Sequence, residues 1–442
     1  MGLVELKQRI EDKQARIAVI GLGYVGLPVA ACFAQAGFDV MGVDIAKERV
    51  KRINAGESPI EGIEPGLQDL LSQVIGNGRL QATIDYTNLK DREVILIDVE
   101  TPVDKNHQPR YEALRACLNS LGQVLDDGAL VIVESTISPG TMKQVVQPLL
   151  EKSSGKKLGS GFYLGNCPER VMPGKLLQNL RSLSRVVGGM TPETADCMVS
   201  LYRHIVEADL DPTDCITAEL VKTVENAYRD VQIAFANEVA LISEAVGGDV
   251  WKVRELVNKS PGRNMLLPGA GVGGHCIPKD PWLLASAVDG KELRLRLIPA
   301  ARAVNDGMPH HMVELLKKGL AVAGKELKGA RILVMGYAYL ENSDDTRNSP
   351  SAILVEELER AGAQTVIHDP YVEQYKGDLL EMAKDCDAAV VMVKHEEYLV
   401  SDLDEFAPKL NFRVLIDGRG LYAHRSKNDP MVYHGIGIGN AG

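Results

Sequence analysis

The first third of the chain alternates short apolar runs with longer stretches of helical pattern. The apolar runs have the length of β-strands and lie at Ile17–Ile20, Asp39–Val43, Val94–Ile97, Leu130–Val133 and Arg185–Val187. Such alternation is typical of a parallel, doubly wound sheet with helices on its faces. The pattern therefore predicts a sheet of this kind over roughly residues 1–205.

The pattern changes in the middle of the chain. From about Thr213 to Val246 apolar residues recur every three or four positions, which predicts one long helix. The helix is apolar enough to be buried on more than one side, as the connector between two domains and the core of a dimer would be. A free-standing coiled coil is the alternative, but strict heptads are absent.

Strand-length apolar runs return in the last third of the chain. They lie at Arg331–Met335, Thr365–His368, Ala388–Val393 and Val414–Ile416. This part of the chain is therefore predicted to be a second α/β domain, which begins near residue 325.

The first strand run leads into a glycine signature. Ile17–Ile20 is followed by Gly21, Gly23 and Gly26, and a helical pattern comes next. In a dinucleotide-binding turn these glycines allow a tight turn, close approach of the pyrophosphate and helix–strand contact, respectively. Asp44 follows the next strand run, where an acid binds the ribose hydroxyls and repels a 2′-phosphate. Strand, motif, helix, strand and acid in this order predict a Rossmann domain that binds NAD rather than NADP, against a bare structural turn.

The start of the third region repeats the start of the first. RILVMGYAY, from Arg331, is similar to RIAVIGLGY, from Arg16, but lacks the second and third glycines of the fingerprint. The second domain is therefore expected to bind a nucleotide differently, or only part of one. The predicted fold is α/β, with two Rossmann-like doubly wound domains joined by a long central helix or helical domain. The predicted domain boundaries are 1–205, 206–324 and 325–442.

Composition and net charge argue against two classes of binding partner. The chain has 442 residues, of which 45% are hydrophobic and 25% charged, and a net charge of -11. Because this charge repels phosphate backbones and anionic lipids, neither a nucleic acid nor a membrane is expected as a partner. Seven cysteines without CxxC pairs are typical of reduced thiols. No apolar signal segment is apparent, and the predicted location is cytoplasmic.

The stretch GVGGHCIPKD, from Gly271 to Asp280, carries the candidate nucleophile. Cys276 follows a glycine-rich run and precedes Lys279 and Asp280. Glycines let a backbone approach a ligand closely, and a following helix start with a nearby lysine would favour the thiolate. Together with the dinucleotide signature, this pattern predicts a redox enzyme with a covalent nucleophile. The alternative is a buried, inert cysteine, which is the prediction for the other six.

Other polar residues fall where parallel sheets and long helices present side chains to ligands. Lys222 and Asn226 lie four apart on the long helix and share one face. Glu169 and Thr136 each follow a strand-like run, at the end where open α/β sheets bind ligands. Taken singly, the lysine could equally be solvated and the glutamate could lie on the surface.

Together these segments resemble the UDP-glucose/GDP-mannose dehydrogenase family of nucleotide-sugar 6-dehydrogenases. The likeness covers nearly the whole chain, in the segments GLGYVGLP, STISPGT, PERVMPGK, ELVKTVENAYRD, GVGGHCIPKDPW and GYAYLENSDDTRNSP. It implies an NAD-binding first domain, a central dimerisation domain with the cysteine loop, and a UDP-sugar-binding third domain. It also implies a UDP-sugar substrate and a homodimer or higher oligomer.

The resemblance also implies residue roles. Cys276 would be the nucleophile of a four-electron oxidation through a thiohemiacetal and a thioester. Lys222, Asn226 and Asp280 would handle protons and the oxyanion. Thr136 and Glu169 would position water and assist thioester hydrolysis. The predicted cofactor contacts are Gly21, Gly23, Tyr24, Val25, Gly26, Asp44, Arg49, Thr101 and Thr136. The predicted substrate contacts are Glu169, Arg170, Val171, Lys222, Asn226, Arg263, Gly273, Lys279 and Arg347. No metal site is predicted.

PERVMPGK and the segment from Trp251 to Trp282 are most similar to the UDP-N-acetylhexosamine branch of the family. Within that branch they resemble the UDP-N-acetyl-D-mannosamine dehydrogenases most. The alternatives are oxidation of UDP-N-acetylglucosamine or UDP-glucose. A different class, the two-electron β-hydroxyacid dehydrogenases, shares the NAD fingerprint and a helical lysine but needs no nucleophilic thiol. A nucleotide-sensing scaffold without activity is a further alternative.

The chain departs from the family pattern in three places. Glu100 replaces the first proline of a proline-threonine-proline segment, which places a carboxylate near the nicotinamide side. Leu340 replaces a lysine, so one basic contact to the nucleotide is missing, and Arg347 is the best remaining cation of the third domain. The arginine expected before the glycine-rich loop is present as Arg263, displaced by about one position.

Overall fold

In the computed structural model of the chain, the described residues are 1–60, 62, 64–172, 174–400, 406–411, 413–423 and 431–439. They divide into two compact units. The first comprises Met1–Glu225 and Trp282–Lys291, and the second comprises Asn226–Pro281 and Glu292–Gly442. The three-domain boundaries stay a prediction beside this division.

The first unit is built on an eight-stranded sheet in the described part of the chain. Its strands are β1 Arg16–Ile20, β2 Asp39–Val43, β3 Leu80–Thr83, β4 Val94–Ile97, β5 Ala129–Val133, β6 Phe162–Asn166, β7 Arg185–Gly189 and β8 Leu210–Asp214. The helices that accompany them are α1 Leu3–Glu11, α2 Gly26–Gln35, α3 Lys47–Asn54, α4 Leu67–Gly76, α5 Glu112–Gly122, α6 Gln147–Ser154, α7 Leu176–Ser182 and α8 Pro192–Tyr202. A 3₁₀ turn covers Tyr86–Leu89, and a π-helical turn, Met142–Val146, precedes α6.

The strand order is β3-β2-β1-β4-β5-β6-β7-β8, and successive residues of one strand face opposite sides of the sheet. Ile17 and Val19 pack into one hydrophobic cluster, and Ala18 and Ile20 pack into the other. Because both faces are covered, the strands read as continuous apolar runs. The predicted α/β fold with a doubly wound sheet is confirmed.

One pairing differs from the parallel sheet that the sequence predicts. Strand β7 runs antiparallel to β6, with Gly165 opposite Gly189 and Asn166 opposite Gly188, whereas the other pairs are parallel. Continued in the same register, the first residue of β7, Arg185, lies opposite Glu169. The start of β7 therefore lies at the edge of the sheet where β4, β5 and β6 end.

The long helix predicted in the middle of the chain is α9, Cys215–Val246. It begins two residues after the predicted start because Leu210–Asp214 pairs with β7 as an edge strand. The Asp214 carboxylate accepts hydrogen bonds from the backbone nitrogen and hydroxyl of Thr217, at 2.9 and 2.8 Å, and so caps the helix.

The second unit contains a parallel five-stranded sheet among its described residues, in the order β10-β9-β11-β12-β13. The strands are β9 Arg331–Met335, β10 Gln364–His368, β11 Ala388–Val391, β12 Val414–Asp417 and β13 Val432–Gly435. The remaining helices of the chain are α10 Val250–Asn258, α11 Asp280–Ser286, α12 Leu297–Val322, α13 Pro350–Arg360, α14 Leu379–Ala383 and α15 Glu396–Val400. Short 3₁₀ turns cover Glu373–Tyr375 and Ala407–Lys409.

The second sheet has a glycine turn after its strand β9 that is similar to the turn after β1. The acid that follows its strand β10, however, forms hydrogen bonds within the protein. Gly336 follows β9 with φ +91°, as Gly21 follows β1 with φ +94°. Asp369, just after β10, accepts the backbone nitrogens of Tyr337 and Ala338 at 2.6 and 2.8 Å. It also accepts three further hydrogen bonds, from the backbone of Tyr371 and Val372 and from the His395 ring.

In the described part of the chain, no helix is long and apolar enough to cross a bilayer.

Candidate active site

The glycine fingerprint of the first unit has the geometry of a dinucleotide turn. Gly21 lies at φ +94°, and a Cβ there would approach the Asp98 carbonyl oxygen to 2.5 Å. A Cβ on Gly26 would lie 1.9 Å from the Gly21 oxygen, whereas one on Gly23 would meet no atom within 4 Å. Gly21 therefore makes the turn, Gly26 permits the contact of α2 with β1, and Gly23 leaves open space for a ligand. Val25 precedes the first residue of α2 at this turn.

Asp44 ties the fingerprint to the end of β2. Its carboxylate is buried and accepts hydrogen bonds from the backbone nitrogens of Leu22 and Ala46 at 3.0 and 2.9 Å. The Arg49 guanidinium donates to the same carboxylate at 3.0 Å. The structure thus brings the glycine turn and Asp44 together, as binding of the adenosine ribose of NAD requires, and Arg49 is paired with the acid.

The remaining predicted cofactor residues lie in the first unit. The buried Thr101 hydroxyl donates to the Thr136 carbonyl oxygen at 2.6 Å, so the loops after β4 and β5 are joined. The Tyr24 hydroxyl donates to Glu64, which also accepts the backbone nitrogen of Gly174 at 2.7 Å. Glu64 is a residue that the sequence analysis did not single out.

Glu169 is buried and paired. Its carboxylate lies 2.6 Å from Nη2 of Arg185 and accepts the Arg170 backbone nitrogen at 2.7 Å. The Arg170 guanidinium donates to the Ser184 carbonyl oxygen at 2.7 Å and to Glu225. Val171 packs against the core of the first unit. These contacts fix the backbone of the Pro-Glu-Arg turn.

Lys222 is buried on α9, where it belongs to the first unit. One helical turn before it, the buried Glu219 carboxylate accepts the backbone nitrogens of Gly140 and Met142, each at 2.7 Å. Burial raises the pKa of Glu219 to about 7, although these two donors oppose the shift. Glu219 therefore connects helix α9 by hydrogen bonds to the loop that follows Thr136.

The cysteine loop lies in the second unit, on the turn between Tyr339 and Asn348. A Cβ on Gly273 would lie 2.5 Å from Cβ of Tyr339, and Gly274 donates its backbone nitrogen to the Arg347 carbonyl oxygen at 2.9 Å. Only glycine permits this approach. Cys276 is exposed, whereas the other six cysteines are buried thiols, as the sequence analysis predicts.

Three predicted residues meet beside the cysteine loop. The backbone nitrogen of Asp280 donates to the Cys276 carbonyl oxygen at 2.8 Å, and the Asp280 carboxylate is fully buried. Asn226 donates its side-chain amide to that carboxylate at 2.5 Å, and Nζ of Lys279 lies 2.9 Å from its other oxygen. The second unit therefore contains a buried acid held by one amide and one ammonium group, four residues after the thiol.

Arg347 and Arg263 are held by local contacts. The Arg347 guanidinium forms a forked pair with Asp345, and this hydrogen bonding raises the pKa of Arg347 above its usual range. Its side chain remains 47% exposed, which leaves part of it accessible to a ligand. The exposed Arg263 donates to the Pro261 carbonyl oxygen at 3.4 Å, within its own turn.

Sequence reasoning missed two buried networks. In the first unit, the Arg185 guanidinium lies 2.6 Å from Glu169 and 3.4 Å from Glu134, and Asp98 follows β4 next to Glu134, since Ile97 pairs with Val133. In the second unit, hydrogen bonds run from Arg302 and Asp230 through Asn305 and Asn237 to the backbone nitrogen of Gly269, at the start of the cysteine loop. The signal that could have revealed the first network is a charged residue directly at the end of an apolar strand, as in VILID and VIVE.

Three family descriptions match the chain. The NAD binding domain of the UDP-glucose/GDP-mannose dehydrogenase family matches residues 15–206, the central domain matches 216–307, and the UDP binding domain matches 333–424.

Individual relatives match nearly full length. A UDP-N-acetyl-D-mannosamine dehydrogenase of Pyrococcus horikoshii is 39% identical over 96% of this chain and 100% of its own. A solved structure of that enzyme covers 96% of this chain and 99% of its own, with a TM-score of 0.90. An NDP-N-acetyl-D-galactosaminuronic acid dehydrogenase of Ralstonia nicotianae is 36% identical over 92% and 96% of the two chains. A solved UDP-glucose dehydrogenase of Pyrobaculum islandicum is 27% identical, with 96% and 98% coverage and a TM-score of 0.85.

Proposed function

The chain belongs to the UDP-glucose/GDP-mannose dehydrogenase family, and from this premise we propose that it oxidises the C6 alcohol of UDP-N-acetyl-D-mannosamine to the uronate. Membership makes it an NAD-dependent UDP-sugar dehydrogenase. The finer assignment of the sugar is supported by the names of relatives in Pyrococcus horikoshii and Campylobacter jejuni, both UDP-N-acetyl-D-mannosamine dehydrogenases.

The observation that carries the chemistry is the exposed Cys276 thiol four residues before the buried Asp280. Oxidation of an alcohol to an acid removes four electrons, so two hydrides leave the sugar and the aldehyde must be retained between the two steps. Bound NAD supplies the hydride acceptor in each step. The Cys276 thiolate adds to the aldehyde carbon, and the thiohemiacetal then loses the second hydride to become a thioester.

The other residues predicted to be catalytic would transfer protons and stabilise charge. Lys222 and Asn226 would stabilise the oxyanion of the tetrahedral species by donating hydrogen bonds to it. Asp280 or Glu169 would assist the attack of water on the thioester, with Thr136 positioning that water, and the C–S bond breaks to return the thiolate. Arg170, Val171, Arg263, Gly273, Lys279 and Arg347 would contact the substrate.

The ratio of NADH formed to UDP-sugar consumed tests this function. Two NADH per sugar are expected for the four-electron reaction, one for a β-hydroxyacid type of dehydrogenase and none for a sensor without activity. Assayed over a panel of UDP-sugars, UDP-N-acetyl-D-mannosamine should exceed UDP-glucose in kcat/KM by about tenfold or more, which corresponds to ~1.4 kcal/mol. A preference for UDP-N-acetylglucosamine or UDP-glucose would overturn the sugar assignment but leave the chemistry in place.

A further inference from the structure

Five polar side chains meet in the interior of the first unit, beneath the glycine fingerprint: Asp98, Glu134, Glu169, Arg185 and Tyr202. They come from different elements, because Asp98 follows β4, Glu134 follows β5, Arg185 begins β7 and Tyr202 ends α8. Glu134, Glu169, Arg185 and Tyr202 are each at most 7% exposed. Asp98 is partly buried as a residue, and its Oδ2 atom is fully buried. We refer to these five residues as the acid cluster.

Arg185 links two of the acids. Its Nη2 lies 2.6 Å from Oε2 of Glu169, and its Nη1 lies 3.4 Å from Oε1 of Glu134. The Tyr202 hydroxyl donates to Oε1 of Glu134 at 2.7 Å, and its ring lies beneath the guanidinium carbon at 5.0 Å. The orientation of Glu169 therefore depends on Arg185, and the orientation of Arg185 depends on Glu134.

The charges of the acid cluster do not balance if every acid is ionised. Three carboxylates would face one guanidinium, and an uncompensated buried carboxylate is strongly unfavourable because it has lost its hydration. Among the described residues, Oδ2 of Asp98 and Oε2 of Glu134 are both buried without a hydrogen-bond partner. Oε2 of Glu169 and Nη2 of Arg185 also lack a hydrogen bond, and they contact each other as an ion pair. Asp98 and Glu134 directly follow Ile97 and Val133, which are paired in the parallel register of β4 and β5, so the two acids are adjacent at neighbouring strand ends. A proton on Asp98, donated to Glu134, would remove one charge and satisfy both oxygens.

The surroundings favour the protonated form of Asp98. Burial and the neighbouring Glu134 raise the pKa of Asp98 well above its usual range, with Glu169 acting in the same direction and Arg185 against it. The other groups that face the cluster are the Cys167 thiol and, from α2, the Cys32 thiol, whose pKa values burial raises. The sulfurs therefore add no charge at neutral pH. No group of three or more acids, histidines or cysteines in the described part of the chain could hold a metal ion instead.

We propose that Asp98, Glu134 and Arg185 are positioning residues that hold Glu169 through one chain of ion pairs and hydrogen bonds, with a proton shared between Asp98 and Glu134. The inference rests on the proposed function, in which Glu169 assists thioester hydrolysis. Asp98 also packs against the glycine turn of the cofactor site, since a Cβ on Gly26 would lie 2.9 Å from the Cβ of Asp98. One chain of contacts thus runs from the NAD fingerprint to Glu169.

Two variants of one residue test the chain. Asp98→Ala removes the donor to Glu134, so Glu169 should lose its orientation and kcat should fall about a hundredfold, as for other misplaced catalytic groups. Asp98→Asn restores a neutral donor and should recover at least about tenfold of that loss. In stopped-flow assays, Asp98→Ala should release two NADH per site in a burst and then turn over slowly, because the thioester accumulates. KM for the UDP-sugar should change less than kcat.

A spectroscopic measurement tests the shared proton without relying on turnover. In aspartate-¹³C-labelled protein, the infrared spectrum at neutral pH should contain the carbonyl band of a protonated carboxylic acid, and Asp98→Asn should lack it. Its absence from the wild-type protein would overturn the shared proton, and this measurement stands even if Asp98→Ala fails to fold.

The kinetic outcomes separate the two proposals. Two results would overturn the positioning role in an enzyme that makes two NADH per sugar. One is a wild-type kcat in folded Asp98→Ala, and the other is an Asp98→Asn variant that is as slow as Asp98→Ala. If wild-type enzyme oxidises no UDP-sugar, the proposed function fails instead, and the infrared band still reports on the proton.

Discussion

At the scale of single residues, exposure distinguishes Cys276 from the other six cysteines. Cys276→Ser should reduce turnover to below about 1% of wild type, because a serine hydroxyl is a far weaker nucleophile than a thiolate. NAD affinity, measured by fluorescence titration, should not change. The matched control is Cys386→Ser, since Cys386 is a buried thiol that donates to the Met382 carbonyl oxygen. Several percent of wild-type uronate formation in Cys276→Ser would contradict the covalent role.

Arg347 offers a second residue-level prediction. If it contacts the nucleotide, Arg347→Ala should raise KM for the UDP-sugar about ten- to a hundredfold through loss of a charge-assisted hydrogen bond. If its role is only the pair with Asp345, the loss is a surface pair of about 0–1 kcal/mol and KM should stay constant. Arg360→Ala, which removes an exposed pair with Glu356, is the control. Initial rates at saturating NAD decide between the two.

At the scale of elements, Glu219 joins α9 to the loop before the π-helical turn. Its pKa rises from 4.5 to about 7 in the folded protein, so the folded state binds the proton more tightly than the unfolded state does. The free energy of unfolding should therefore fall as pH rises from about 4.5 to about 7, by up to roughly 3 kcal/mol from this group.

Urea titrations between pH 5 and pH 8 measure this contribution. Glu219→Gln should remove that part of the pH dependence, even though the amide can accept only one of the two backbone donors and lowers stability overall. If the free energy of unfolding of Glu219→Gln changes between pH 5 and pH 8 as much as that of the wild-type protein, Glu219 is not the source of this pH dependence.

The same helix carries a prediction about assembly. Apolar side chains that are 39–63% exposed recur on one face of α9 at intervals of four or seven residues, at Leu220, Val224, Tyr228, Phe235 and Ile242. A homodimer or higher oligomer is expected to cover this face. Phe235→Glu should shift sedimentation toward the monomer, whereas Arg229→Glu, on an exposed neighbouring face, should not. A monomeric wild-type protein at micromolar concentration would contradict the expectation.

At the scale of the whole molecule, the sequence predicts the elements whose apolar pattern is strong. Most strands of both sheets, the long helix and the glycine turn follow from local periodicity and turn chemistry, whereas β3 and β13 are not among the predicted runs. Strand β8, Leu210–Asp214, could not be predicted because it is polar, contains Pro212 and exists only through its pairing with β7. Proline is tolerated there because an edge strand leaves one side of the ladder unpaired.

In the candidate site too, residues with a local sequence signature could be predicted and residues placed by long-range pairing could not. The fingerprint and the cysteine loop have local signatures, so their residues could be named from the sequence. The acid cluster could not be predicted, because Arg185 reaches Glu169 only through the antiparallel register of β6 and β7. Charges that are buried by long-range pairing leave only a weak local signal.

The two copies of the strand–turn–strand scaffold should tolerate mutation unequally. In the first copy even an alanine at Gly26 would collide with the Gly21 oxygen at 1.9 Å, and Asp44 remains beside a turn that is open at Gly23. In the second copy the corresponding positions are already Ala338 and Glu341, and five donors saturate Asp369. At these two positions substitution should therefore be limited by ligand geometry in the first copy and by folding in the second, so the turn of the second copy is the one that accepts larger side chains.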